Sequence, residues 1–481
     1  MLGRQEKQEE MWAEPKDLLK RISRNNRLRR LNAVLKLDFV REEVRPFYGS
    51  KGQVSVDPVV LMKMMLLLFL DDLPSERELM TLIPLRIDYM WFLGYGLDDK
   101  IPNHSVLSKA RKKWGKEVFE NLFGRTVEQC LKAGLIDGKK LHMDSSLVRA
   151  DASLNSVIQV TVSKLDEEES DEQESDESDG QGPVNGKFQS TTDSEATLVR
   201  HGAGKSVPSY KTHRAIDDQC GVITAVKTTT GAVDEGGQLM ELVAQHQENT
   251  ELTPRAVVAD SKYGNTANFI GLAKCGIRSH MSDLRKKQVN PRAEGIYPAE
   301  DFIYEAGTDS YRCPAGAHLH RHHFVESRGY YEYRTRNGEC KGCELRSLCT
   351  RATMGRSLKR YEDQELLDRA RKQASGPAAK KDRAKRKWMM EGSFAVAAVK
   401  HGLKRARWRG LWKQEIQNLL IAAIQNLKTL LRKKGSAYFG VKLMADPCFL
   451  LVAAIMPLIE QFFEKLLYPL EYSGLTLKQA Y

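Results

Sequence analysis

The spacing of apolar residues divides the chain into regions of different period. From about residue 15 to 135, apolar positions recur every three or four residues, the period of helices packed by one face. Asp57-Pro58 opens the run PVVLMKMMLLLFL with an N-cap and a first-turn proline. Ser75-Glu76-Arg77-Glu78 has the pattern of a capping box. EVFENLFGRTVEQCLKAGLIDG places Val118, Phe119, Leu122, Phe123, Val127 and Leu131 at helical spacing, with Gly134 as a stop.

The period then falls to two. KKLHMD reads as a short alternating strand closed by Asp144. SYKTHRAID and GVITAVKTTT alternate on either side of Asp218-Gln219-Cys220 and predict a β-hairpin. GGQLMELVAQHQ reads as a helix, RAVVAD as a strand closed by Asp260, NTANFIGLAKCG as a helix and IRSHMS as a last strand. Helical spacing returns in KKDRAKRKWMMEGSFAVAAVKHG, which carries Glu391, and in LWKQEIQNLLIAAIQNLKTLLRK. The expected organisation is a helical DNA-binding domain over 1–135 and an α/β core beginning over 136–284, with an acidic insertion at about 155–205. A polar, Cys/His-rich insertion over 285–385 follows, then helices completing the core over 386–440 and a helical tail over 441–481.

Charge sharpens this picture. The 481 residues carry a net charge of +12, unevenly spread. Asp166–Asp179 holds ten acids and no base, a composition expected to stay disordered. Residues 351–434 hold 23 Lys or Arg against 7 Asp or Glu. Such a basic half suggests a polyanion partner, most often nucleic acid, with a solvated surface as the plain alternative. MLGRQEKQEE has no secretory pattern, and the apolar runs Pro58–Leu70 and Cys448–Ile459 fall short of the roughly 20 residues a membrane helix needs. The expectation is a cytoplasmic protein without a membrane partner.

Three carboxylates are candidates for chemistry: Asp144 and Asp260 at strand ends and Glu391 on a helix. Strand-end acids beside each other, joined by a helix-borne acid, would form an oxygen cage for Mg²⁺ or Mn²⁺. Two ions roughly 3.5–4 Å apart suit in-line displacement at a phosphodiester. Each acid also has a plain reading, Asp260 as an Asx turn before Ser261-Lys262-Tyr263-Gly264 and Glu391 as a surface acid among Lys385, Arg386 and Lys387. KRARWRG interleaves Arg405, Arg407 and Arg409 with Trp408 beside Lys404, a composition suited to phosphate contact and stacking or to a basic loop anchored by its tryptophan. Lys262 and Lys387 are further candidates for phosphate contact. His142 shares strand parity with Asp144 and reads as a packed histidine, and Asp151 as a loop residue.

Cys313, Cys340, Cys343 and Cys349 form C-x26-C-x2-C-x5-C. The C-x2-C pair can approach one ion from a tight turn, which points first to structural Zn²⁺. An iron–sulfur cluster is the second reading and metal-free reduced thiols the third. HLHRHH, with His318, His320, His322 and His323, reads as a polar loop facing phosphate. Cys130, Cys220, Cys275 and Cys448 read as isolated core residues.

In its N-terminal part, VDPVVLMKMML, SERELM and DYMWFLGYGLDDKIPNHSVLSKARKKWG, and in its core GLIDGKKLHMDSSLVRADASLNSV, SYKTHRAIDD, VVADSKYGN and EGSFAVAAVKHGLKRARWRGLWKQEIQNLLIAAIQNLK, the chain resembles the bacterial insertion-sequence DDE transposases. The resemblance implies a mixed five-stranded RNase H-like sheet with flanking helices, an all-α N-terminal domain and a Cys-rich insertion. It implies Asp144, Asp260 and Glu391 as catalytic ligands of two Mg²⁺ or Mn²⁺ ions, terminal inverted repeats and target DNA as partners, and a homodimer. The family often sets Tyr seven and Arg four residues before the Glu, and Lys seven after. Here those places hold Ala384, Lys387 and Ala398, with Lys400 the nearest later base. The segment STTDSEAT departs from a family loop richer in Asp and Pro, and Asp193 reads as a turn or cap residue. The rival readings are a metal-dependent DNA nuclease without strand transfer and a non-catalytic, transposase-derived DNA-binding protein.

Overall fold

The computed structural model describes residues 18–51, 54–159, 187–200, 204–284 and 295–444. The acidic tract Asp166–Asp179, Cys448 and the expected tail beyond residue 444 lie outside them.

The N-terminal part forms helices α1 (Leu18–Arg21), α2 (Arg27–Asn32), α3 (Asp38–Val44), α4 (Pro58–Leu70), α5 (Glu76–Leu82), α6 (Ile87–Leu93), α7 (Ser105–Trp114) and α8 (Glu117–Lys132). Asp57 caps α4 by accepting from the Val59 amide, and Ser75 caps α5 by accepting from Glu78, so both capping signals are realised. An apolar run of this density has no polar stripe, and α4 is correspondingly buried nearly all round. Its one charge, Lys63, reaches out of the core to the Phe92 carbonyl (2.8 Å) and Asn32 (3.0 Å).

The central sheet is built from β1 (Lys140–Arg149), β4 (Thr197–Arg200), β5 (Ser206–Asp217), β6 (Ile223–Thr230), β7 (Ala256–Val258) and β8 (Arg278–His280). A separate two-stranded ribbon pairs β2 (Val157–Gln159) with β3 (Phe188–Ser190). The core order is β6-β5-β1-β7-β8, with β5 antiparallel to β1 and β6, and β1, β7 and β8 mutually parallel. This is the RNase H-like order expected from the resemblance, with the short β4 added beside the start of β5. Asp144 does not close β1, as its alternation suggested. The long β5 supplies backbone partners as far as Ser209, so β1 continues to Arg149 and Asp144 lies mid-strand.

Helices cover both faces. Leu141, Met143, Ala215 and Val257 pack against α9 (Leu239–Thr250), α10 (Thr266–Lys274) and α12 (Gln364–Ala374). On the other side, Val148, Tyr210, Ile216 and Val226 share a continuous core with α13 (Pro377–His401), α14 (Leu411–Met444) and the N-terminal helices. The helical part and the sheet therefore exclude water together. Gly402 ends α13 at φ +63°, a left-handed conformation that favours glycine.

The polar segment forms a second sheet in the order β13-β12-β11-β10-β9. Its strands are β9 (Ile303–Glu305), β10 (Ser310–Arg312), β11 (His318–Val325), β12 (Tyr330–Arg334) and β13 (Ser357–Tyr361), with the short α11 (Arg346–Cys349) between the last two. HLHRHH is thus in strand β11 rather than in a loop, because β10 and β12 pair it on both sides. Among the lone cysteines Cys130 is buried, whereas Cys275 is exposed beyond the end of α10 rather than in a core.

Candidate active site

Side chains alternate along β1, so His142, Asp144, Ser146 and Val148 face α13. Polar contacts lace that helix along the strand. Asp382 accepts from Lys140 Nζ (2.7 Å) and bonds His280 Nδ1 (2.7 Å), tying the start of α13 to β1 and β8. Asp218, in the β5–β6 turn, meets Lys385 Nζ and His142 Nε2, each at 2.6 Å. His142 is fully buried, and burial pulls its pKa down. Lys404 Nζ donates to Ser146 Oγ (2.6 Å), and Arg149 exchanges backbone bonds with Lys404 and Ala406.

The register pairs His142 with Val258, and Asp260 follows two residues on, just beyond the end of β7 and near Asp144 on β1. Burial raises the Asp144 pKa. The Arg386 charge opposes that rise and the neighbouring Asp260 charge adds to it. Asp260 also accepts from the Lys262 amide (2.9 Å), so it caps the turn Ser261–Tyr263 while standing beside Asp144. Gly264 closes this turn where a Cβ would lie 1.9 Å from the Ser282 carbonyl oxygen.

Arg386, rather than Glu391, touches Asp144: Arg386 Nη1 lies 2.5 Å from Asp144 Oδ2. Glu391 is exposed five residues on, turned about 140° around α13 from Arg386. Among the described residues no three His, Cys, Asp or Glu side chains are grouped as they stand to hold a metal ion. The donor chemistry nevertheless fits a hard cation at Asp144 and Asp260, where Arg386 supplies the compensating positive charge in this arrangement.

The basic candidates separate by burial. Arg405 is exposed and lies 3.6 Å from Asp151, while Arg409 is exposed and bonds the Asp151 carbonyl. Lys387 is exposed on α13 and Lys262 reaches Glu235 (2.9 Å). Arg407 and Trp408 are only partly exposed, and both make contacts within the protein. Arg407 pairs with Asp72 and its side chain is 10% exposed. Trp408 packs edge-on against Phe69 (5.4 Å), lies under Arg111 (3.9 Å) and donates to Glu76. The loop's tryptophan is an anchor because α4 and α7 present an apolar wall and a buried guanidinium to it.

Other participants were not evident from local sequence. Glu235 is buried and held by Lys211 (3.4 Å) and Lys262 (2.9 Å), which lower its pKa against the effect of burial. Asp193 is buried and accepts from Tyr210 (2.6 Å) and the Gly410 amide (3.3 Å), fastening the start of α14 to β5. Arg214, directly opposite Asp144 on β5, is fully buried against Phe394 and Gln425. On the far flank of α13 a cavity of about 780 Å³ is lined by Arg27, Arg30, Lys385, Trp388, Lys428 and Arg432. Trp388 is 63% exposed there. The signal for it was present in KRKWMM, where bases surround an aromatic residue.

The order β6-β5-β1-β7-β8, with its mixed directions and a basic helix laid across it, is that of an RNase H-like core. Residues 16–113 match a family model described as a transposase domain (DUF772), and residues 312–431 match one described as a transposase DDE domain. Two separate stretches of the chain are thus each similar to a transposase family. No curated protein matches it. Two similar solved structures are the Mos1 transposase paired-end complex with left transposon end and the Mos1 strand transfer complex. Each is 12% identical over 50% of this chain, with TM-scores of 0.16 and 0.15. The match spans 64% of the length of each of those chains, and likeness this weak carries no argument. Among the described residues no helix is long and apolar enough to cross a membrane.

Proposed function

We propose that this protein is a DNA transposase of the bacterial cytoplasm. It binds double-stranded DNA at the terminal inverted repeats of its element, hydrolyses a phosphodiester to free a 3′-OH, and directs that hydroxyl at target DNA. The observation that carries the reading is Asp144 on β1 with Asp260 just beyond the end of the adjacent parallel β7, near enough for their charges to interact. The two transposase matches on the same chain support it. The homodimer that would bridge two ends rests on the family resemblance.

Asp144, Asp260 and Glu391 are the residues we assign to two Mg²⁺ or Mn²⁺ ions. Bound there, the ions would supply charge stabilisation and activation of the attacking oxygen. Asp144 would leave Arg386 to take part, and Glu391, on the exposed flank of α13, would need a movement of that helix to join them. Lys262, positioned by Glu235, approaches the phosphate beside Asp260. Lys387, Lys404, Arg405 and Arg409 follow the DNA backbone, whose affinity for such a surface falls with salt.

The outward Glu391 is the observation favouring the rival, a non-catalytic DNA-binding descendant. Nicking of a plasmid carrying the element's ends separates the two, with and without Mg²⁺, in wild type and Asp260→Ala. Transposase chemistry predicts metal-dependent nicking that Asp260→Ala abolishes. Binding without cleavage in the wild type supports the rival, and cleavage surviving in Asp260→Ala removes Asp260 from the site.

A further inference from the structure

We propose that Cys313, Cys340, Cys343 and Cys349 form a tetrathiolate site for a structural Zn²⁺ that staples the β9–β13 sheet. The inference does not depend on the transposase reading.

All four cysteines are free, and all four line one cavity of about 30 Å³. Three separate pieces of chain deliver them. Cys313 enters from the β10–β11 turn Cys-Pro-Ala-Gly, where its amide donates to the Ala317 carbonyl (2.8 Å) and Gly316 donates back to Cys313 (2.9 Å). Gly316 supplies the φ of +86° that the turn needs. Cys340 and Cys343 enter from the tight loop before α11, and Cys349 from the end of α11.

Arginines hold the backbones behind the thiols. Arg346 Nη1 donates to the Cys340 carbonyl (3.0 Å), and the Arg346 amide to the Cys343 carbonyl (3.1 Å). Arg356 Nη1 donates to the Cys349 carbonyl (3.3 Å). These two guanidiniums would offset the dianion that four thiolates and one Zn²⁺ make.

A second observation says why a staple is needed. The sheet's own core consists of Phe302, Tyr311, Leu319, Tyr333 and Leu358, which is little apolar burial for a module running from Tyr297 to Tyr361. Modules of that size generally need a metal or disulfides to stand. Among the described residues no group of three or more His, Cys, Asp or Glu side chains is arranged to hold a metal ion as it stands. Closure to Zn–S bonds of about 2.3 Å requires side-chain rotation within the cavity and releases up to four protons on binding.

The test uses the full chain purified without chelator. Metal analysis is expected to give about one zinc per chain, released in step with mercurial titration of the thiols. Cobalt substitution is expected to give the visible bands of tetrahedral thiolate coordination. Cys343→Ser is expected to lose the zinc, and mercurial release in the wild type to open residues 297–361 to protease before the core. If Cys343→Ser fails to fold, the wild-type release and cobalt spectra decide. Zinc near zero with all four thiols titrating freely overturns the proposal. So does iron with sulfide, zinc retained by Cys343→Ser, or release that leaves the protease pattern unchanged.

Discussion

Arg386 occupies the carboxylate that we assign to a metal, so removing it tests the site directly. In Arg386→Ala the ion pair to Asp144 is lost between side chains 13% and 23% exposed. A guanidinium and a divalent ion about 4 Å apart repel by about 2 kcal/mol in a water-like medium and about 8 kcal/mol at an effective dielectric near 20. Taking the lower figure, the variant binds a divalent cation roughly 30-fold more tightly than wild type. The same change removes the main charge holding down the Asp144 pKa, which burial and Asp260 then push further up. A proton therefore competes with the cation more strongly in the variant, so the two proteins are compared across a range of pH. The assay is a Mn²⁺ titration of DNA-free protein, reading free Mn²⁺ by electron paramagnetic resonance. Asp144→Asn serves as the control that loses binding. Equal affinity in wild type and Arg386→Ala, or tight binding that survives Asp144→Asn, refutes the reasoning.

Three further outcomes are expected. Trp408→Ala removes the contacts to Phe69 and Glu76 and lowers stability by about 2–3 kcal/mol, measured by denaturant unfolding, while DNA affinity per folded molecule changes little. Gly264→Ala drives a Cβ into the Ser282 carbonyl and displaces the Asp260 turn, so thermal stability and Mn²⁺ binding fall together. His213, His246 and His401 are buried with pKa values lowered to about 4. Between the ordinary value near 6.5 and about 4 the unfolded chain takes up protons that the fold does not. Stability is therefore lost on acidification through that window, by up to about 1.4 kcal/mol per pH unit for each histidine, and unchanged unfolding midpoints from pH 7 to 5 would count against it.

Much of the core was legible because its signals are local. The N-caps at Asp57 and Ser75, the alternation of SYKTHRAID and GVITAVKTTT, and the short runs RAVVAD and IRSHMS each name an element without reference to the rest of the chain. HLHRHH misled because its polar composition resembles a loop, whereas the neighbouring strands supply its backbone with partners. KRARWRG left two readings open because composition cannot say whether a tryptophan meets solvent or the wall of α4, where Trp408 packs on Phe69.

By itself the sequence determined the periods, the caps, the strand carrying Asp144 and the turn carrying Asp260. These follow from backbone preference and from which face of an element is apolar. Tertiary structure alone decided which charges meet: Arg386 reaches Asp144 across 242 residues of chain, and Lys211 and Lys262 converge on Glu235. It also decided that Glu391 lies outward on α13 and that Cys313 shares one cavity with Cys340, Cys343 and Cys349. The physical reason is rotational phase. A helical period fixes the buried stripe of α13, but the strand on which that helix lies fixes which of its flanking side chains comes within reach of a carboxylate.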